Sequence, residues 1–292
     1  MSPGRFFFTV ALGIVAEVTV LFLDPEARGD PIVDLGAADP FSVLAASGIT
    51  VAGAVDSTAI TGDLGSFPTA SITGLGNVVL NGTNQAGDAV TQSAQLALLS
   101  AYNVAAGLSA TTSFGPITDL GGLTLAPGVY ADPSSFGITG TLVLNAAGNP
   151  NAIWVFQAGS TLITAGSSNI VLENGAQACN IFWVVGSSAT IGPGSDFVGA
   201  ILADASITAD IGAEINGQLL ALNGAVTLDG YDTITLPAGA GDCVDMSVPD
   251  AGGTLGLLGI GLAALLTGRF CLELHWKVRR VAILPEFTPY LG

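Results

Sequence analysis

Four short runs of the chain, TLITAG, SATIGPG, SITADIG and AVTLDG, each centre on a threonine: Thr164, Thr190, Thr208 and Thr227. Successive threonines lie 26, 18 and 19 residues apart, the first step lengthened by the segment ENGAQACN. Seven residues after each comes an apolar side chain, Val171, Phe197, Ile215 and Ile234. A period this short leaves room for about three short strands per coil and is the mark of a β-solenoid, whose units bury their apolar sides against their neighbours. Side chains in a strand alternate with period 2. Ile163 and Ala165, Ala189 and Ile191, Ile207 and Ala209, and Val226 and Leu228 are therefore expected inside, with the four threonines outside. From Leu123 onward the rest of the chain agrees, because short apolar or alternating runs are broken by Gly, Asn and Ser with no helical pattern between them.

One segment departs from this all-β pattern. In NQAGDAVTQSAQLALLSAYNVAAGL, about residues 84–108, Val90, Ala94, Ala97, Ala101, Val104 and Leu108 recur at steps of four and three, as on one face of a helix. Gly107 suits its C-terminal stop. The alanine-rich stripe predicts a helix lying close against one outer wall, the wall where Val171, Leu172 and Val198 crowd a strand position.

Charge narrows the function. All six cationic residues lie toward the ends, Arg5 and Arg28, then Arg269, Lys277, Arg279 and Arg280, while 18 carboxylates fall between Asp30 and Asp250. A body without Lys or Arg cannot displace the counterions of a nucleic acid and has no side-chain clamp for a phosphate-bearing cofactor. No nucleic acid partner and no cofactor are expected. The single His275 lies in the tail. Cys179 and Cys243 can pair in an oxidising compartment, and neither has a neighbouring Cys or His that would complete a metal site.

The ends read as addresses. Residues 1–29 combine Arg5 with an apolar run from Phe6 to Leu23, a secretory signal-like pattern interrupted by Glu17, with an uncleaved anchor helix as the alternative. After the 30–240 body and a 241–247 linker, residues 248–270, VPDAGGTLGLLGIGLAALLTGRF, place Val248-Pro249-Asp250 ahead of an uncharged stretch long enough to cross a bilayer, closed by Arg269. This resembles the VPD variant of the PEP-CTERM sorting signals, which implies exosortase-like sorting machinery as a partner and transient membrane association through the termini. A plain membrane anchor is the alternative, since the tail 271–292 continues past the basic stop.

The runs FSVLAASGIT and AITGDLGSFP suggest one or two further coils before the helix. Together with LAPGVY, IWVFQAGSTL, NGAQACNIFWVVGSSATIG, FVGAILA and the ING, QLLA and NGAVTL runs, they resemble the microbial ice-binding proteins of the DUF3494 group over roughly Leu35 to Leu236. The resemblance implies a discontinuous β-solenoid of triangular cross-section, all-β with one long flanking helix, that adsorbs to an ice crystal surface through one flat face and is not an enzyme. On that reading Thr164, Ser188, Thr190, Ser206, Thr208 and Thr227 form the ice-binding ladder. Aligning Trp154 with Trp183 would select Thr161 instead of Thr164.

Three alternatives follow from the same residues. A rival face carries Asp196, Asn216, Thr233 and Thr235. Hydrolysis could use the carboxylate pair Asp229 and Asp232. An envelope adhesin or matrix protein could share the scaffold; that reading calls for exposed aromatic rings, whereas Trp154 and Trp183 sit in apolar strands and are expected inside.

Overall fold

The computed structural model describes residues 33–237. The leader 1–29, the linker 241–247, the segment 248–270 and the tail 271–292 lie outside the described residues. Within them, short strands pair in parallel and stack as coils with three walls. Wall A carries Asp63–Ser66, Phe41–Ala45, Ile181–Val185, Trp154–Ala158, Gly128–Asp132 and Thr112–Ser113. Wall B is an eight-stranded sheet in the order Ile72–Thr73, Ile49–Val51, Val226–Leu228, Ile207–Ala209, Ala189–Ile191, Leu162–Thr164, Phe136–Ile138 and Thr118–Asp119. Wall C carries Val78–Asn81, Thr58–Thr61, Thr233–Thr235, Asn169–Glu173, Thr141–Asn145 and Thr124–Leu125.

Two longer strands, Asp196–Ala203 and Glu214–Ala221, leave wall C, turn the corner and continue into wall A of the next coil. The bend falls at Gly199 and Gly217. A Cβ on Gly217 would stand 1.9 Å from the Gly199 carbonyl oxygen, so the two backbones can nest only without side chains.

The order of coils in space differs from their order in sequence. The first coil, Phe41–Ala45, Ile49–Val51 and Thr58–Thr61, docks on the last one through Val43 against Leu219, Thr50 against Thr227 and Ile60 against Ile234. The second coil stacks outside the first. The chain then returns to the far end and winds back from Thr112–Ser113, which makes the solenoid discontinuous.

Helix α1, Ala89–Ala106, is that return. At ~1.5 Å per residue it covers ~27 Å, five to six strand spacings of ~4.8 Å. The Asp88 carboxylate caps it by accepting the Thr91 N–H at 2.8 Å, an N-cap that stabilises by about 1 kcal/mol. Gly107 ends it, its N–H shared between the Asn103 and Val104 carbonyls.

The helix lies on wall A, so Val155, Phe182, Val184, Ala200 and Leu202, which alternate with core residues, are buried as well. The Gln157 amide donates to the Ala105 and Leu108 carbonyls and fixes the helix end to the wall. The buried helix stripe is Thr91, Ala94, Leu98, Ala101 and Ala105. This corrects the expected stripe, since Val90 and Val104 are each about half exposed. The expected wall is corrected too: Val171, Leu172 and Val198 belong to wall C. Alanine-rich helices carry the same step pattern on adjacent faces, and the larger Leu98 decides which face packs.

The interior is apolar and aromatic. Parallel register puts Tyr130, Phe156 and Trp183 in one file. Their rings stack at 5.4 and 4.0 Å between centroids, and Phe197 continues the pile at 5.4 Å. Trp154 and Trp183 are fully buried, as expected, with the Trp183 indole N–H donating to the Val198 carbonyl at 3.0 Å.

Candidate functional site

Wall B presents a continuous file of threonines. Thr190 pairs with Thr208, Thr208 with Thr227, Thr227 with Thr50 and Thr50 with Thr73, all in parallel register. Ala189, Ile191, Ile207, Ala209, Val226 and Leu228 are buried behind them, so the threonines face outward. Thr50 and Thr73 come from the two N-terminal coils. Spacing from the other threonines could not reveal them, because Thr50, which joins the pair to Thr227, is far from Thr227 along the chain.

Thr164 is not part of this file. The rung next to Thr190 is Ile163, 52% exposed, while Thr164 is 4% exposed and pairs with Ile138. The Thr164 hydroxyl accepts the Gly192 N–H at 2.8 Å and bonds to Ser195, replacing a ladder bond at the corner. The longer coil before Thr190 contains one more residue than the threonine-to-threonine spacing allowed for, and a one-residue slip exchanges inside and outside. Thr161, the alternative choice, falls in the neighbouring file, two residues before the threonine position.

That neighbouring file contains Ser188 and Ser206, and their chemistry differs from that of the threonines. The Ser188 hydroxyl accepts the Ser206 N–H at 3.3 Å, and the Ser206 hydroxyl accepts the Ala225 N–H at 3.2 Å. Ser135 and Thr161 bond to each other at 2.8 Å. These hydroxyls fasten one coil to the next. The hydroxyls of Thr50, Thr73, Thr190, Thr208 and Thr227 have no protein partner among the described residues and are left for water.

Spacing sets what such a surface can match. Rungs repeat every ~4.8 Å and alternate residues along a strand lie ~6.7 Å apart. In a tetrahedral water network with O···O ~2.75 Å, next-nearest oxygens lie ~4.5 Å apart, a misfit of only ~0.3 Å per rung. β-Branched side chains keep few χ1 states, so the lattice is ordered before anything binds.

The other walls carry no file of this length: on wall C, Thr235 stands beside Thr61 alone, with Asn216 and Asn81 next in register. Helix α1 covers wall A. On wall C, where the rival face was expected, Asp196 and Glu214 stand directly opposite each other in register, with Asn169 and Thr233 to either side. Charges so placed bind their own hydration and repel one another.

The corner acids are structural. Asp232 is buried and its carboxylate accepts the Ala213 and Gly230 N–H groups, each at 3.0 Å. Burial outweighs these bonds, and with the nearby Asp229 charge pushes its pKa up to about 6. Both Asp232 oxygens are engaged in holding the turn, while Asp229, its partner in the candidate hydrolytic pair, is exposed. Cys179 forms a disulfide, and Cys243, the expected partner, lies outside the described residues. No helix among the described residues is long and apolar enough to cross a membrane.

The described residues thus form a parallel solenoid with one hydroxyl-bearing wall that the helix leaves uncovered. Residues 43–235 match the family model described as ice-binding-like. The chain is similar to an ice-binding protein of Nostoc sp. (strain HG1), 42% identical over 87% of this chain and 92% of that one. It is also similar to an ice-binding protein of Flavobacterium frigoris (strain PS1), 34% identical over 70% and 77% of the two chains. Among solved structures, the ice-binding protein of the Antarctic ascomycete Antarctomyces psychrotrophicus superposes with a TM-score of 0.67 at 43% identity, covering 70% of this chain and 98% of that one. The DUF3494 domain of Shewanella frigidimarina ice-binding protein 1 superposes at 0.65 with 28% identity, covering 72% and 100%. The chain belongs to the ice-binding-like family.

Proposed function

We propose that this protein adsorbs to ice through wall B and thereby restrains ice growth and recrystallisation. The observation that carries the reading is the file Thr73, Thr50, Thr227, Thr208 and Thr190, in register and with hydroxyls free of protein partners. Methyl groups hold adjacent water in cage-like order while the hydroxyls anchor it, and this layer merges with a crystal plane. Rigidity before contact matters, since an array that had to order itself would lose its small per-contact gain to entropy. Ser188 and Ser206 contribute by fixing the coil spacing, each hydroxyl accepting a backbone N–H of the next coil.

The protein acts without catalysis, as an exported molecule. Residues 1–29 serve as the secretory signal and residues 248–270 as the sorting segment for an exosortase-like partner, and the absence of Lys and Arg from the body supports an extracellular surface role. Cys179 pairs with Cys243, closing the last coils onto an earlier one. The reading is tested by growing ice slowly from a dilute solution of the purified protein. Enrichment in the crystal is expected; partitioning into the remaining liquid, like an ordinary solute, would refute it.

A further inference from the structure

The two borders of wall B differ in kind. Toward wall A the coil corners beside the threonine rungs carry Ser187, Asp204 and Asn223, bonded from coil to coil, and the exposed Ile117 on that border lies in the end coil, beside Thr118–Asp119 and away from the file. Toward wall C the corners carry large apolar side chains open to solvent: Val55 is 75% exposed, Tyr231 57%, Ile211 53% and Leu75 39%. Isolated exposed apolar residues are ordinary on any surface. These four lie along one corner, in stacked coils, beside the threonine file.

Tyr231 adds an independent observation. Its φ is +59°, a region in which a bulky side chain is an outlier. At the same corner position the two preceding coils have Gly212 and Gly194, for which a positive φ carries no penalty. Asp232 holds the turn by accepting the Gly230 and Ala213 N–H groups on either side of the corner. The side chain itself gains nothing from the fold there: among the described residues the Tyr231 ring stacks on no other ring and its hydroxyl bonds no protein group. Local strain that the surroundings enforce and the fold does not use is characteristic of contact sites.

We propose that this corner is a second strip of the ice-contacting surface, with Tyr231, Ile211, Val55 and Leu75 widening wall B toward wall C. The proposal rests on the reading of wall B as the ice-contacting face. Ice is chosen as the occupant because the strip is continuous with the threonine file. Its apolar groups order first-shell water without binding it strongly, which is the property the threonine methyls also supply. On the opposite border, Asp204 and Asn223 bind their own water, so the contact surface is one-sided.

The test uses the full chain and three variants, Tyr231→Gly, Ile211→Ser and Thr208→Tyr. It measures the concentration that arrests grain coarsening, the thermal midpoint and, by sedimentation, the oligomeric state. Tyr231→Gly reproduces the residue found at this corner in neighbouring coils and relieves the backbone, so its thermal midpoint should stay level or rise. Its arrest concentration should nonetheless rise by roughly fivefold or more, a change equivalent to about 1 kcal/mol of adsorption energy. Wild-type activity lost in Thr208→Tyr but unchanged in both corner variants would overturn the corner strip alone. Self-association that disappears in Tyr231→Gly, with ice activity intact, would make a second copy the occupant and overturn it as well. A wild-type protein without effect on ice would remove the wall B reading and this one together.

Discussion

Replacing Thr208 with tyrosine tests the threonine file at its most consequential point. Thr208 sits between Thr190 and Thr227, so a ring standing above the wall there removes its own rung and cuts Thr190 off from Thr227, Thr50 and Thr73. Each rung supplies one methyl, worth ~0.8 kcal/mol on leaving water, and one hydroxyl whose hydrogen bond nets about 1 kcal/mol. Losing the use of two rungs therefore removes about 3.5 kcal/mol, more than a hundredfold in the adsorption equilibrium. Folding stability should move by no more than about 0.5 kcal/mol, because the side chain makes no internal bond. The assay is grain coarsening in frozen sucrose films as a function of protein concentration, with thermal unfolding in parallel. Thr233→Tyr places the same bulk outward on wall C and should leave the arrest concentration where it was. Equal loss in both variants, or none in Thr208→Tyr, would refute the assignment of wall B.

Ile163 stands in register beside Thr190, so Ile163→Thr should lengthen the file by one rung and lower the arrest concentration about fivefold, the value of one further hydroxyl contact of ~1 kcal/mol. Asp232 should give the fold an unusual pH slope. Its folded pKa, about 6, is above the unfolded value, so between roughly pH 4 and 6 the native state binds more protons and stability falls as pH rises, by at most ~3 kcal/mol. Asp232→Asn should flatten that part of the slope in unfolding curves measured from pH 4 to 7, and an unchanged slope would show that the carboxyl ionises without cost. Gly217→Ala should lower the thermal midpoint by roughly 6–12 °C, corresponding to ~3 kcal/mol, because its Cβ meets the Gly199 carbonyl and neither backbone can yield alone; a midpoint within a degree of wild type would contradict the nested corner.

Where successive coils are alike, the sequence is readable: Thr190, Thr208 and Thr227 are flanked by the same small and apolar pairs and separated by nearly equal steps. The coil from Ile163 to Thr190 is longer, and its extra residues lie in the corner and the turn Ala178–Asn180, where nothing in the spacing tells which strand residue faces out. Thr50 and Thr73 were hidden for a different reason, since the docking of the first coil on the last is a matter of topology and leaves no local trace in the chain. The helix was legible as a helix but not by face, because Ala94 and Ala101 serve either of two adjacent stripes. Positive φ at Tyr231 has no sequence signature at all. At Gly212 and Gly194 the residue type announces the turn, and at Tyr231 it conceals it.

The spatial splice between the first and last coils also governs when the protein becomes competent. During synthesis Thr50 and Thr73 emerge early but can offer only a two-rung fragment, while Thr190 and Thr208 build from the opposite direction. The strand Val226–Leu228 is the keystone that fuses the two fragments, and Gln218 locks the join by donating to the Asp39 and Phe41 carbonyls. On the proposed reading of wall B, a chain that stops short of the keystone has two short arrays with nothing to join them, and the five-rung file needs Val226–Leu228 in place.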